Sequence, residues 1–242
     1  MPTAVVIDGE LLLRRFSSSF AGLNAESPDD IAIGVTSIAT WHLAFRLGPH
    51  SMLSAIERHR FQPEESEHLN RIFFYDCAPL MKRVHRPVSK QSLDLAKTPS
   101  AIFLQAVHKR FQGVCKVALR LGRLNDDFLW RLKLDALKRW LADTALFRPA
   151  DEDFEMDVTQ KGVDIRLGLD VSSMAFKKQV DQIIIVAADA DFVPAAKLDR
   201  REGIDVVADH MGNHTASDLL QHVDGVRRCR IGEQPGTADD GR

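Results

Sequence analysis

The sequence predicts an α/β protein: a mostly parallel five-stranded sheet in the order 3-2-1-4-5, Rossmann-like, with helices on both faces. Three observations predict it. Short runs of β-branched and aromatic residues alternate with segments of helical spacing, the pattern of successive βαβ units. The runs are close to continuously apolar, as strands covered on both faces are. Several of them end in an acidic residue or a glycine, where a strand gives way to a turn.

The strands, in order, are "TAVVID" ending in Asp8, "RIFFYD" ending in Asp76, "VCKVALRLG" closed by Gly122, "QIIIVAA" and "IDVVAD". Helical spacing covers residues 28–47, behind a Ser27-Pro28 N-cap, and residues 101–111. It recurs in "DFLWRLKLDALKRWLADTAL", in "VSSMAFKKQV", in "FVPAAKLDRREG" with Gly203 as its stop, and in "ASDLLQHVDGVRR". No repeat and no linker interrupts the pattern. The expectation is one domain over 1–230, with insertions near 17–66 and 79–100 and a disordered polar tail over 231–242.

Composition excludes several classes. At 242 residues, 45% hydrophobic and 27% charged, the chain suits a soluble domain with a sizeable core. No apolar run approaches the ~20 residues that span a bilayer, and "MPTAVVIDGE" has no basic region of a signal peptide. A cytoplasmic protein with no membrane partner is expected. Cys77, Cys115 and Cys229 are far apart with no CxxC, so they read as reduced thiols rather than a zinc site. Neither a Walker A motif nor a Gly-x-Gly-x-x-Gly is present, which leaves a nucleotide cofactor unsupported. Charge is uneven: residues 77–125 hold ten basic residues and one acid, Asp94, a formal +9 that leaves −11 to the rest of a chain whose net charge is −2. A stretch of that kind suits a polyanion.

The informative residues are carboxylates. Asp8 ends the first strand and Asp76 the second, Asp189 and Asp191 follow the fourth, and Asp164 and Asp170 lie in "QKGVDIRLGLD". Ligands of open parallel sheets gather beyond the carboxyl ends of the strands, where strand order reverses. In a 3-2-1-4-5 sheet that point lies between strands one and four, so Asp8 would face Asp189 and Asp191. Carboxylates held close repel one another unless a cation intervenes, and hard oxygen donors select Mg²⁺ or Mn²⁺. The competing role for each Asp is a helix cap or turn.

At these residues the chain resembles the NYN domain family, LabA-like proteins of the PIN-like nuclease group. "VVIDGE" is similar to that family's first strand, "QKGVDIRLGLDVSSMA" to its Lys-Gly-x-Asp helix start, "VDQIIIVAADADFVPAAKLDRREGIDVV" to its Asp-x-Asp-Phe strand and helix, and "SDLLQHVDGV" to its closing helix. The resemblance is strongest over 159–228. It implies a three-layer PIN-type fold and a metal-dependent ribonuclease with Asp8, Asp164, Asp189 and Asp191 as metal-binding and catalytic residues. Asp76 and Asp170 would stand behind them. Two departures stand out: Gly9-Glu10-Leu11 where many members have an Asn, and Ala188 where Gly is usual.

The expected activity is hydrolysis of RNA phosphodiester bonds with Mg²⁺ or Mn²⁺. Lys161 would contact phosphate, and Lys82, Arg83 and Arg86 would guide single-stranded RNA; a homo-oligomer stays open. Two alternatives are a non-catalytic RNA- or protein-binding module of the same fold, and a Toprim-like Mg²⁺-dependent phosphotransfer enzyme, which Glu10 and "DAD" mimic.

Overall fold

The computed structural model describes residues 2–47, 67–189, 192–214 and 217–229. Residues 48–66 of the first expected insertion, Asp191 and the tail over 231–242 lie outside the described residues.

The chain opens with strand β1 (Thr3–Asp8), helix α1 (Gly9–Ser19) and helix α2 (Pro28–Leu47). Strand β2 (Leu69–Cys77) leads to a hairpin of β3 (Arg83–His85) and β4 (Ser92–Asp94), then α3 (Pro99–Phe111) and β5 (Val117–Leu124). A second excursion holds β6 (Trp130–Leu132), α4 (Leu134–Ala142) and β7 (Phe154–Met156). The chain closes through β8 (Gln160–Lys161), α5 (Val163–Phe176), β9 (Gln182–Val186), α6 (Val193–Arg201), β10 (Asp205–Asp209), α7 (Ser217–Gln221) and β11 (Gly225–Arg227).

The main sheet has seven strands where five were expected, ordered β11-β10-β9-β1-β2-β5-β8. All neighbours are parallel except β5 and β8. The alternation of side chains along each strand divides the core in two. Val5 and Ile7 of β1 join Phe16, Val35, Ile38 and Phe111 from the α1–α2–α3 layer, while Ala4 and Val6 join Leu167, Val171, Met174 and Ala196 from the α5–α6 layer. Residues Ile183 to Val186 are fully buried because β9 sits between β1 and β10 with helices on both sides.

Local chemistry explains the boundaries. Ser27 accepts the Asp30 amide at 3.3 Å, and Pro28 stands at the first turn of α2 with Asp29 and Asp30 behind it. Gly162 precedes α5 at φ +82°, a left-handed conformation that any side chain would strain.

Two helical expectations need correction, and one helix was not expected. The segment "DFLWRLKLDALKRWLADTAL" is not one helix: Trp130 to Leu132 pair with Phe154 to Met156 across a β hairpin, and the helix begins only at Leu134. The last helix stops at Gln221, and Gly225 to Arg227 become the edge strand β11. The sequence reading also leaves out α1, which buries Leu11, Leu12 and Phe16. Among the described residues no helix is long and apolar enough to cross a membrane. All three cysteines are free thiols, Cys77 and Cys229 buried and Cys115 exposed.

Candidate active site at the carboxyl edge of the sheet

The carboxyl ends of β9, β1, β2 and β5 lie side by side, and the chain reverses direction of build between β1 and β9. Asp8 ends β1 beside Tyr75 of β2. Its Oδ1 accepts the Glu10 amide at 3.0 Å and so caps α1. Burial pushes this carboxyl up to about 6, and the negative charges of Glu10 and Asp189 push the same way against the Leu11 and Glu10 amides. The charge of Asp189 is the least of these influences on Asp8. Asp189 is exposed, three residues beyond the end of β9.

Asp164 stands in the first turn of α5, exposed. Its helix starts at this edge because Gly122 lets it in: a Cβ there would meet Val163 Cγ2 at 2.6 Å, the Lys161 carbonyl at 2.9 Å and Cys77 Sγ at 3.1 Å. Arg166 adds a bond to the Leu121 carbonyl. The Asp164 charge reaches Cys77, whose thiol burial pushes up to about 11, with Asp76 and Asp164 adding to the rise.

The two expected supporting residues are committed elsewhere. Asp76 is buried and accepts His108 Nε2 at 2.8 Å and the Cys77 amide at 2.7 Å. Asp170 accepts the Tyr75 hydroxyl at 2.8 Å and Arg120 Nε at 2.9 Å. Both are parts of the frame. Tyr75 and Phe192 are buried, so neither offers a face for base stacking.

Of the four expected RNA-binding cations, Lys161 is exposed on β8, paired with Arg123 across the strand edge. The other three are engaged. Lys82 donates to the Asp126 carbonyl and lies 4.9 Å from the Phe128 ring centre, Arg83 stands 3.5 Å from Asp94, and the charge of Arg86 acts on Asp151. The sequence reading passed over His108 beside Asp76, and Gln160, which donates to Glu10 at 2.9 Å across 150 residues.

Among the described residues no three His, Cys, Asp or Glu side chains gather as metal ligands. The donor chemistry nevertheless suits a hard divalent cation. A carboxyl driven up by burial and by like charges is the group a cation would relieve.

The family profile of the NYN domain matches residues 96–227, more than half of the chain. The chain belongs to the NYN domain family. The matched stretch of this NYN chain contains Lys161, Asp164, Asp170, Asp189 and Asp191. Asp8, Asp76, Lys82, Arg83 and Arg86 lie before it. Comparison with curated proteins and with solved structures returns no match.

Proposed function

We propose that this NYN chain is a ribonuclease dependent on Mg²⁺ or Mn²⁺, acting on single-stranded RNA in the cytoplasm. Asp8, Asp164, Asp189 and Asp191 would hold the ion. The observation that carries the reading is the pair Asp8 and Asp189, carboxylates that end or follow two strands adjacent at the reversal of the sheet. The family supports it, since NYN proteins resemble nucleases of the PIN-like group.

A bound divalent ion supplies an activated water and offsets negative charge at phosphorus. The chain's own residues do the rest. Asp8 is held by its bond to the Glu10 amide, and Asp164 by the α5 turn wedged against Gly122. Lys161 presents a cation beside that turn for a substrate phosphate.

One observation favours a second reading, a non-catalytic RNA- or protein-binding module: no three ligands gather among the described residues. Purified protein with labelled single-stranded RNA, in Mn²⁺ or EDTA and beside Asp189→Asn, separates the two. Cleavage that needs both the metal and Asp189 is expected. Binding without cleavage would favour the module.

A further inference from the structure

Helix α5 buries Val163, Leu167, Val171, Met174 and Ala175 against the sheet. Its opposite side is also apolar: Ile165 is 70% exposed, Leu169 64% and Phe176 59%. At 100° per residue these three and Ser172 fall in a stripe about 60° wide. Their spacing of four, three and four residues is that of a coiled-coil seam. A soluble helix with one face in the core has no need of a second apolar stripe.

Gly168 adds an independent observation. It sits inside α5, where glycine costs about 1 kcal/mol relative to alanine. A Cβ built on it meets nothing within 4 Å. The chain's own packing does not call for glycine there; close approach by another helix beside the seam does.

We propose that this face of α5 joins two copies of the chain, the helices antiparallel about a twofold axis between Leu169 and Ser172. In that register Leu169 packs on the small Ser172 of the second copy, twice, and Ile165 packs on Phe176. A parallel pair would instead set Phe176 against Phe176 and leave a gap at Ser172. The residues flanking the seam outside the core, Arg166, Gly168 and Ser173, carry a single charge, and the antiparallel register sets Arg166 against Ser173, so no like charges meet. The three apolar side chains expose on the order of 400 Å² per copy, about half of one partner's share of a standard-size interface. The dimer is therefore weak and concentration-dependent.

Sedimentation equilibrium of the full chain tests the association. A monomer–dimer equilibrium at tens of micromolar is expected, weakened at least tenfold by Leu169→Glu, which replaces an exposed side chain and leaves folding intact. A second measurement tests the register, in a Cys115→Ser background. A mixture of Ile165→Cys and Phe176→Cys chains should oxidise to a covalent dimer. Ile165→Cys alone should not, because its two thiols stand about 16 Å apart along the paired helices. A chain that stays monomeric, a dimer indifferent to Leu169→Glu, or cross-linking by Ile165→Cys alone would overturn the proposal.

Discussion

Asp8 has one structural partner and one proposed partner, and they ask different things of it. As a cap it needs only an acceptor for the Glu10 amide, at 3.0 Å, and asparagine serves there about as well as aspartate. As a ligand of the proposed ion it would need the charge. Asp8→Asn should therefore leave the fold at least as stable to urea as wild type at neutral pH, since it keeps the cap and removes a charge that burial disfavours, while abolishing Mn²⁺-dependent cleavage. The pH dependence follows from the same carboxyl. Because it titrates at about 6, protons compete with the ion below that value, and Mn²⁺ affinity measured by calorimetry should fall toward acid from about pH 6 rather than from about 4. Asp199 poses the opposite case. It is fully buried on α6, neither carboxylate oxygen has a partner, and burial raises it to about 7 from an ordinary 3.8. Its folded value lies above its unfolded one, so the cost to folding is absent below about pH 4, grows through the interval and is complete above about 7. Asp199→Leu should stabilise the fold by roughly 1–3 kcal/mol at pH 8 and by less at pH 5, read by urea titration at both. At this scale the sequence was partly legible. It marked Asp8 and Asp189 because both follow strands. It could not show that Asp76 belongs to His108, since that partner is 32 residues away and no local pattern links them.

Elements were easier to read where one period dominates. "QIIIV" can only be a covered strand, and α2 announces itself by its cap and proline. Residues 128–134 failed because two periods overlap there. Phe128, Trp130, Leu132 and Leu134 alternate with a period of two, a strand signal that was available but lost inside a longer helical pattern. α1 was missed because Leu11, Leu12 and Leu13 directly follow β1 and blur the change of period. The element that matters most to the proposed site is α5, and its start depends on Gly122. Gly122→Ala would force Val163 and the Lys161 carbonyl to move. The expected outcome is a loss of about 1–3 kcal/mol of stability and a loss of cleavage larger than that predicts, because Asp164 moves with the helix. Thermal unfolding and activity of the same preparation would check both.

Across the whole molecule, the basic segment also has a structural partner that its composition does not show. The excursion over 78–98 carries a formal +4 and the excursion over 125–159 a formal −4. The two dock on each other: Asp151 accepts the Val88 amide at 2.9 Å, the Ser89 amide at 3.2 Å and the Ser89 hydroxyl at 2.5 Å, and Trp130 donates to the His85 carbonyl at 3.0 Å. Part of the positive charge is also engaged: Arg83 and Lys97 meet Asp94 of the same excursion, and Lys82 meets the Asp126 carbonyl. Composition could not reveal the docking, because Asp151 lies 63 residues beyond Val88 and 62 beyond Ser89. Asp151→Ala should release the Val88 and Ser89 amides to fast hydrogen exchange while the exchange of β1 and β9 is unchanged, and high salt should act in the same direction on the wild type.

Finally, the sheet ends in stubs. β8 contributes two residues at one rim and β11 three at the other. Beyond β8 the outer side of β5 from Val117 to Gly122 has no strand paired to it among the described residues, so an incoming polypeptide would find its ladder there rather than on the stubs.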